Sequence, residues 1–218
     1  LVGGLYSLAA LPLVIIYKST KVFNFAQGYM VMVLAWIAWG LSAQVGLPFW
    51  VSVVLALGIA VVMGVLTERL CFRRLIGQPI LSSIVVTLAL GVFLAGVVNL
   101  FWGHTDTACY PGYIAAEAIT LGPVTLSLQH LIIFIAALAL IGIFSYFFKY
   151  SRQGLAMRAV AEEHQVAQAL GINVTSIFRN VWVIAYVLAA IAGILLGSVN
   201  GVNSWMYEIG LLAFTVLL

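Results

Sequence analysis

Long apolar runs separated by short polar stretches dominate the chain. Leu1 to Tyr17, Tyr29 to Val45, Phe49 to Thr67, Ile80 to Trp102, His130 to Phe148 and Val181 to Val199 form six such runs, and Ile209 to Leu218 opens a seventh. Most are long enough for a helix to cross the roughly 30 Å hydrocarbon layer of a bilayer. The first reaches only about 25 Å at the helical rise and fits a helix whose beginning is missing. Gly46, Leu47 and Pro48 close a tight turn, and the 104–129 loop carries AITLGPVTLSL, an alternation that predicts a short hairpin. The expected fold is all-α: a polytopic membrane protein of about six spans plus part of a seventh. Residues 1–218 make a single transmembrane domain, truncated at both ends.

The polar stretches orient these spans. With the Lys18–Lys21 turn placed inside and the spans alternating, Arg69, Arg73, Arg74, Lys149, Arg152, Arg158 and Arg179 fall on that same side. The opposite loops keep Asp106, Glu117 and Glu208 and carry no Lys or Arg. This is the cationic bias of cytosolic loops. Trp50, Trp102 and Trp205 fall near the outer boundary, where aromatic belts form.

The longest polar run, Ser151 to Val174 (SRQGLAMRAVAEEHQVAQALGINV), lies on the cytosolic side. Strong helix formers fill it and no proline interrupts it. It predicts a helix that starts at Gly154 after a turn at Ser151 and ends before Gly171. Arg158 and Glu162 stand four apart, on one face, and can pair with each other or with a partner. Leu155, Met157, Val160 and Ala161 do not form one clean stripe. The segment fits a docking knob for another protein as well as an amphipathic helix on the lipid surface.

Composition narrows the class. Hydrophobic residues make up 65% of the chain and charged residues 7%, with a mean hydropathy of +1.20. A soluble domain carries about a quarter charged residues, so the solvent here is lipid. The net charge of +3 reports orientation and not nucleic-acid binding. Cys71 and Cys109 fall on opposite faces, which argues against a mutual disulfide. His104 and His130 lack partners for a metal site and read as interfacial residues. The sequence offers no metal ligand set, no catalytic residues and no GxxxxGK[ST] phosphate loop.

Two stretches, GLAMRAVAEEHQVAQALGINV and KVFNFAQGYM, resemble the permease subunits of bacterial branched-chain amino acid ABC importers, whose members carry an Asn-Phe-Ala-x-Gly signature. FRNVWVIAYVLAAIAGILLG is similar to that family's next helix. VTLALG resembles its Thr-x-Gly stretch, with Ala89 where Gly is common. In the wider importer pattern Glu-Ala-Ala-x-x-x-Gly, the Glu and first Ala are replaced here by Gln165 and Val166, while Ala167 and Gly171 stay.

The resemblance implies a transport subunit without an ATPase motif, set in the bacterial cell inner membrane. Its partners would be cytosolic ATP-binding subunits that hold the ATP, a second permease subunit (a copy or a different chain) and an external substrate-binding protein. No cofactor belongs to this chain. The resemblance favours docking for the 151–174 segment and marks Gly154, Met157, Arg158, Glu162, Glu163, Ala167 and Gly171 as ATPase-coupling residues. Branched-chain amino acids are the family's default substrate, and urea and short amides are the alternative.

Asn24, Gln27, Gly28, Thr87 and Asn99 are the candidate pathway residues. Asn24 to Gly28 reads either as a helix break at the pathway or as a cytosolic turn with an Asn cap. Single polar residues such as Thr87, Asn99 and Asn180 also serve as glue between helices. Gly58, Gly64, Gly91, Gly96, Gly193 and Gly197 read as packing positions, the last two forming a G-x-x-x-G. With no ionisable residue placed at mid-membrane, the sequence favours an ATP-driven importer over an ATPase-independent carrier. Ser82 and Ser83 have no His or Lys companion, which argues against an intramembrane hydrolase. Asn203 to Thr215 echoes Asn24 to Trp36 weakly, as an inverted repeat would.

Overall fold

The structure, a computed structural model, describes residues 2–103, 105, 107–110, 118–121 and 124–214. It is helical almost throughout. The order is α1 (Val2–Thr20), α2 (Gln27–Trp39) with a π-helical extension (Gly40–Gln44), and α3 (Phe49–Thr67) with a π-helical extension (Glu68–Phe72) and a 3-10 turn (Arg73–Leu75). Then come α4 (Ile80–Trp102), strands β1 (Thr107–Ala108), β2 (Ala118–Leu121) and β3 (Val124–Ser127), and α5 (Leu128–Tyr150). The polar stretch forms α6 (Arg152–Glu162) and α7 (His164–Ala169). The long α8 (Val174–Asn200), β4 (Val202–Asn203), a 3-10 turn (Ser204–Tyr207) and α9 (Glu208–Phe214) complete the chain.

Four segments are long and apolar enough to cross a membrane: Phe49–Leu75, Ile80–Trp102, Leu131–Tyr150 and Val174–Asn200. The molecule is a multi-pass membrane protein. The expected hairpin is present, with β2 and β3 antiparallel and Ile119 opposite Leu126. His104, Asp106, Glu117 and the hairpin turn at 122–123 lie outside the described residues, as does the side chain of His130.

α8 is the central pillar, packing on α1, α2 and α3. It starts at Val174, seven residues before the sequence pattern places it. Asn173 caps it, its Oδ1 accepting the Ser176 N–H at 3.0 Å, so the polar 174–180 stretch is its first two turns. Small residues let the helices close up. A Cβ on Gly193 would press on the Val31 carbonyl of α2, and one on Gly64 would meet Val183 of α8 at 2.7 Å. Gly58 and Gly96, expected as packing positions, face open space instead.

The basic residues gather at one end. Lys21, Gln78, Ser83, His164 and Phe178 line a common cavity of about 170 Å³ there, so the end of α1, the α3–α4 connection and the start of α7 are neighbours. At the opposite end the Trp102 indole N–H donates to Gln44 Oε1 at 3.1 Å, and the Trp39 indole N–H donates to the Cys109 carbonyl at 3.1 Å. Buried Tyr110 donates its hydroxyl to the Ala35 carbonyl at 2.9 Å, and burial holds the phenol well above its ordinary pKa. Trp50 and Trp205 are exposed.

Candidate functional site

The site begins where the chain turns back into the bundle. α1 ends at Thr20, and Lys21 takes a left-handed conformation, φ 56°. A short extended stretch then leads inward, and α2 starts only at Gln27. Its depth is fixed by two contacts. The Gln27 side-chain N–H donates to the carbonyl of Ala9, near the middle of α1, at 3.3 Å. Thr87 Oγ1, seven residues into α4 and so ~10 Å from its start, lies 3.2 Å from the Phe23 carbonyl and 2.8 Å from that of Ile84. The Asn24–Gly28 break thus lies beside the middle of α1 and the second turn of α4.

Breaking a helix inside a bundle leaves backbone groups without partners, and Asn24 supplies one. Its Oδ1 accepts the Ala26 N–H at 3.1 Å. Its side-chain N–H₂ faces Gln27 Oε1 at 3.4 Å and Met30 Sδ at 3.2 Å. Asn24, Gln27 and Thr87 are all fully buried.

A second break meets the first from the other end. After α8, Gly201 (φ 73°) turns the chain into β4, which pairs with β1. Asn203 Oδ1 then accepts the Trp205 N–H at 3.1 Å, the same two-residue reach that Asn24 makes. The 3-10 turn and α9 run against the start of α2. There a Cβ on Gly28 would run into the Tyr207 carbonyl, and one on Gly210 would run into the Gly28 backbone. Tyr29 and Tyr207 stack at 5.1 Å with their rings 3° from parallel. The chain breaks at 21–26 and 201–203 thus enter from opposite ends and meet at Gly28 and Gly210.

Asn99 does not join this cluster. It is exposed near the other end of α4. Ala89 also faces away from it, so the Gly-to-Ala departure leaves the crossing untouched.

The polar stretch is built differently from the single helix expected over 154–171. Glu163 is extended and divides it into α6 and α7. Just past the break the His164 ring lies against the Val160 carbonyl through Nδ1 and sits edge-on to Phe178 of α8 at 5.6 Å. The ends match the sequence. Ser151 Oγ accepts the Gly154 N–H at 2.8 Å, and Gly171 has φ 82°. Gly154 is needed because a Cβ there would strike the Phe148 and Phe147 carbonyls of α5.

Faces unreadable in the sequence are distinct in space. Met157, Val160, Ala161 and Ala167 point inward, with α6 seated on α1, α5 and α8. Leu155, Arg158, Glu162, Glu163, Val166 and Leu170 point outward, Leu170 being 75% exposed. Arg158 does not pair with Glu162. Its guanidinium donates to the Lys149 carbonyl at 3.2 Å and lies over the Phe148 ring.

Sequence reasoning missed one pair. Glu68 is fully buried and held by Arg73 at 3.1 and 2.8 Å. Five residues separate them, a spacing the π-helical turn makes adjacent and an α-helix would not.

Over residues 1–218 the chain matches the family described as branched-chain amino acid transport system, permease component. The high-affinity branched-chain amino acid transport system permease protein LivH of Escherichia coli is 29% identical over 227 aligned positions, covering 98% of this chain and 73% of LivH. BraD of Pseudomonas aeruginosa, of the same description, is 31% identical over 212 positions, covering 92% of this chain and 69% of BraD. A probable branched-chain amino acid transport permease of Methanocaldococcus jannaschii is 27% identical over 199 positions, with 89% and 62% covered. No solved structure matches significantly.

Proposed function

Because the chain belongs to the branched-chain amino acid transport system permease family, we propose that it is the membrane subunit of an ATP-driven importer and that α6 and α7 receive the push of a cytosolic ATPase. The observation that carries this is the two-faced polar segment. Its inner face is wedged among α1, α5 and α8, and its outer face offers Leu155, Val166 and Leu170 among Arg158, Glu162 and Glu163. Apolar residues framed by charges suit a protein cleft better than a lipid surface.

The route from push to pathway runs through contacts already described. α6 bears on α1, and the Ala9 carbonyl of α1 holds Gln27 at the start of α2. A shift of α6 therefore loads the crossing at Gly28 and Gly210. Two broken helices meeting inside a bundle are the usual frame for a transporter's central site. Alternating access would open that crossing first to the outer end and then to the basic end. The basic end faces the cytosol, by the positive-inside bias, and the membrane is the cell inner membrane. The substrates are branched-chain amino acids, on the strength of the relatives' names, with urea and short amides as the alternative. The remaining partners are a second permease subunit and an external binding protein.

An ATPase-independent carrier would use an intramembrane carboxylate to take up a proton or ion. Glu68 is the buried acid among the described residues, and Arg73 already neutralises it. The test is co-purification of the full-length protein with its ATP-binding subunits, comparing wild type with R158E/E162R. A complex lost on double reversal supports the importer. Uptake into vesicles of purified protein with no ATPase bound would sink it.

A further inference from the structure

We propose that the crevice between α3 and α4 binds one anionic phospholipid, from the leaflet that borders the arginine-bearing end. The two helices are consecutive, yet they enclose a cavity of about 560 Å³ instead of packing together. Met63, Leu66 and Leu70 form one wall, and Val86, Ala89 and Phe93 the other. Thr67 lies among them, but its hydroxyl is engaged with Tyr186 of α8 at 2.8 Å. What remains is an apolar slot whose lips are open: Leu70 is 70% exposed and Phe93 66%. From Val86 to Leu94 the slot runs ~12 Å along α4, close to the depth of one leaflet, roughly 15 Å.

The charges at one end choose the occupant. Arg73 is neutralised by Glu68. Arg69 and Arg74 are exposed and have no acid partner among the described residues. Arg69 sits between Leu66 and Leu70 in the chain and Arg74 follows Leu70 across the π-helical and 3-10 turns, so both belong to the stretch that carries this wall to the basic end. A guanidinium matches a phosphate in two-point geometry. The slot therefore asks for a molecule that is apolar along its length and anionic at one end. A flat protein surface would bridge the lips without filling the cavity or meeting the arginines.

The test is native mass spectrometry of the full-length protein taken from an equal mixture of phosphatidylglycerol and phosphatidylcholine. Wild type is expected to retain phosphatidylglycerol selectively. R69Q/R74Q, which alters only exposed side chains, should lower its occupancy constant roughly 30-fold, the product of two surface cation contacts. A89W, which fills the slot and leaves both arginines, should also lose the lipid, while R152Q on α6 should keep it. Equal retention of the two lipids, unchanged retention in R69Q/R74Q, or capture of another protein chain by a crosslinker at A89C would overturn the proposal.

Discussion

Gly28 and Gly210 meet backbone to backbone, at the point where the helix that starts inside the bundle crosses the one that returns from the other end. Neither position has room for a methyl group. G28A must push α2 away from the 3-10 turn at Tyr207, and G210A must push α9 away from α2; in both the obstacle is main chain, not a flexible side chain. Core overpacking costs about 1–3 kcal/mol, and this crossing belongs at the upper end. Reconstituted transport should fall to background in either variant, with a lowered midpoint of thermal unfolding. G58A, beside open space, should leave both unchanged.

Asn24 and Gln27 hold the same crossing by hydrogen bonds. Removing the Asn24 side chain strips the buried Ala26 N–H of its acceptor, at about 1–3 kcal/mol. Asn24→Ala should therefore destabilise the protein in that range. Asn24→Asp keeps an acceptor for Ala26 but buries a carboxylate against Gln27 Oε1 with no cation beside it, so it should destabilise more than Ala. Thermal unfolding in detergent across the three proteins gives the order: wild type, then Ala, then Asp.

What could be read in the sequence divides along physical lines. Apolar run length gave α4 residue for residue, because a span is fixed by a one-dimensional quantity. The start of α8 escaped, because Thr175, Ser176, Arg179 and Asn180 interrupt the apolar run, yet they fill the first turns of a helix when Asn173 caps it and Val174, Ile177 and Phe178 are buried. Asn24 stood out in the sequence, but its depth did not, since that depends on Ala9 and Thr87, which are remote in the chain. The Glu68–Arg73 pair escaped for a local reason: a five-residue spacing becomes a contact only in a π-helical turn.

That pair yields a further expectation. Glu68→Ala frees Arg73 and empties a fully buried site, whereas Glu68→Gln keeps the volume and one hydrogen bond. The unfolding midpoint should fall further for Ala than for Gln. If the two fall equally, the buried volume and the retained hydrogen bond contribute nothing beyond the ion pair.

Gly154 and Ser151 fix how α6 is mounted on α5, and they separate mounting from docking. Ser151→Ala removes the cap that accepts from Gly154, a loss of about 1 kcal/mol, and frays the first turn. Gly154→Ala is more severe, because its methyl meets the Phe148 carbonyl and must lift α6 off the end of α5. Leu155→Asp leaves the mounting untouched, since the side chain points outward and is 62% exposed. If α6 transmits force, the three variants fail differently. Ser151→Ala should keep ATPase binding and lose a modest fraction of transport. Gly154→Ala should keep some binding but uncouple ATP hydrolysis from uptake, because the push no longer reaches α1. Leu155→Asp should weaken the complex itself while the permease unfolds at its normal temperature. Measuring complex retention, hydrolysis and uptake on the same preparations distinguishes these outcomes. Normal coupling in Gly154→Ala would show that the push reaches the pathway by another route than the seat of α6 on α5.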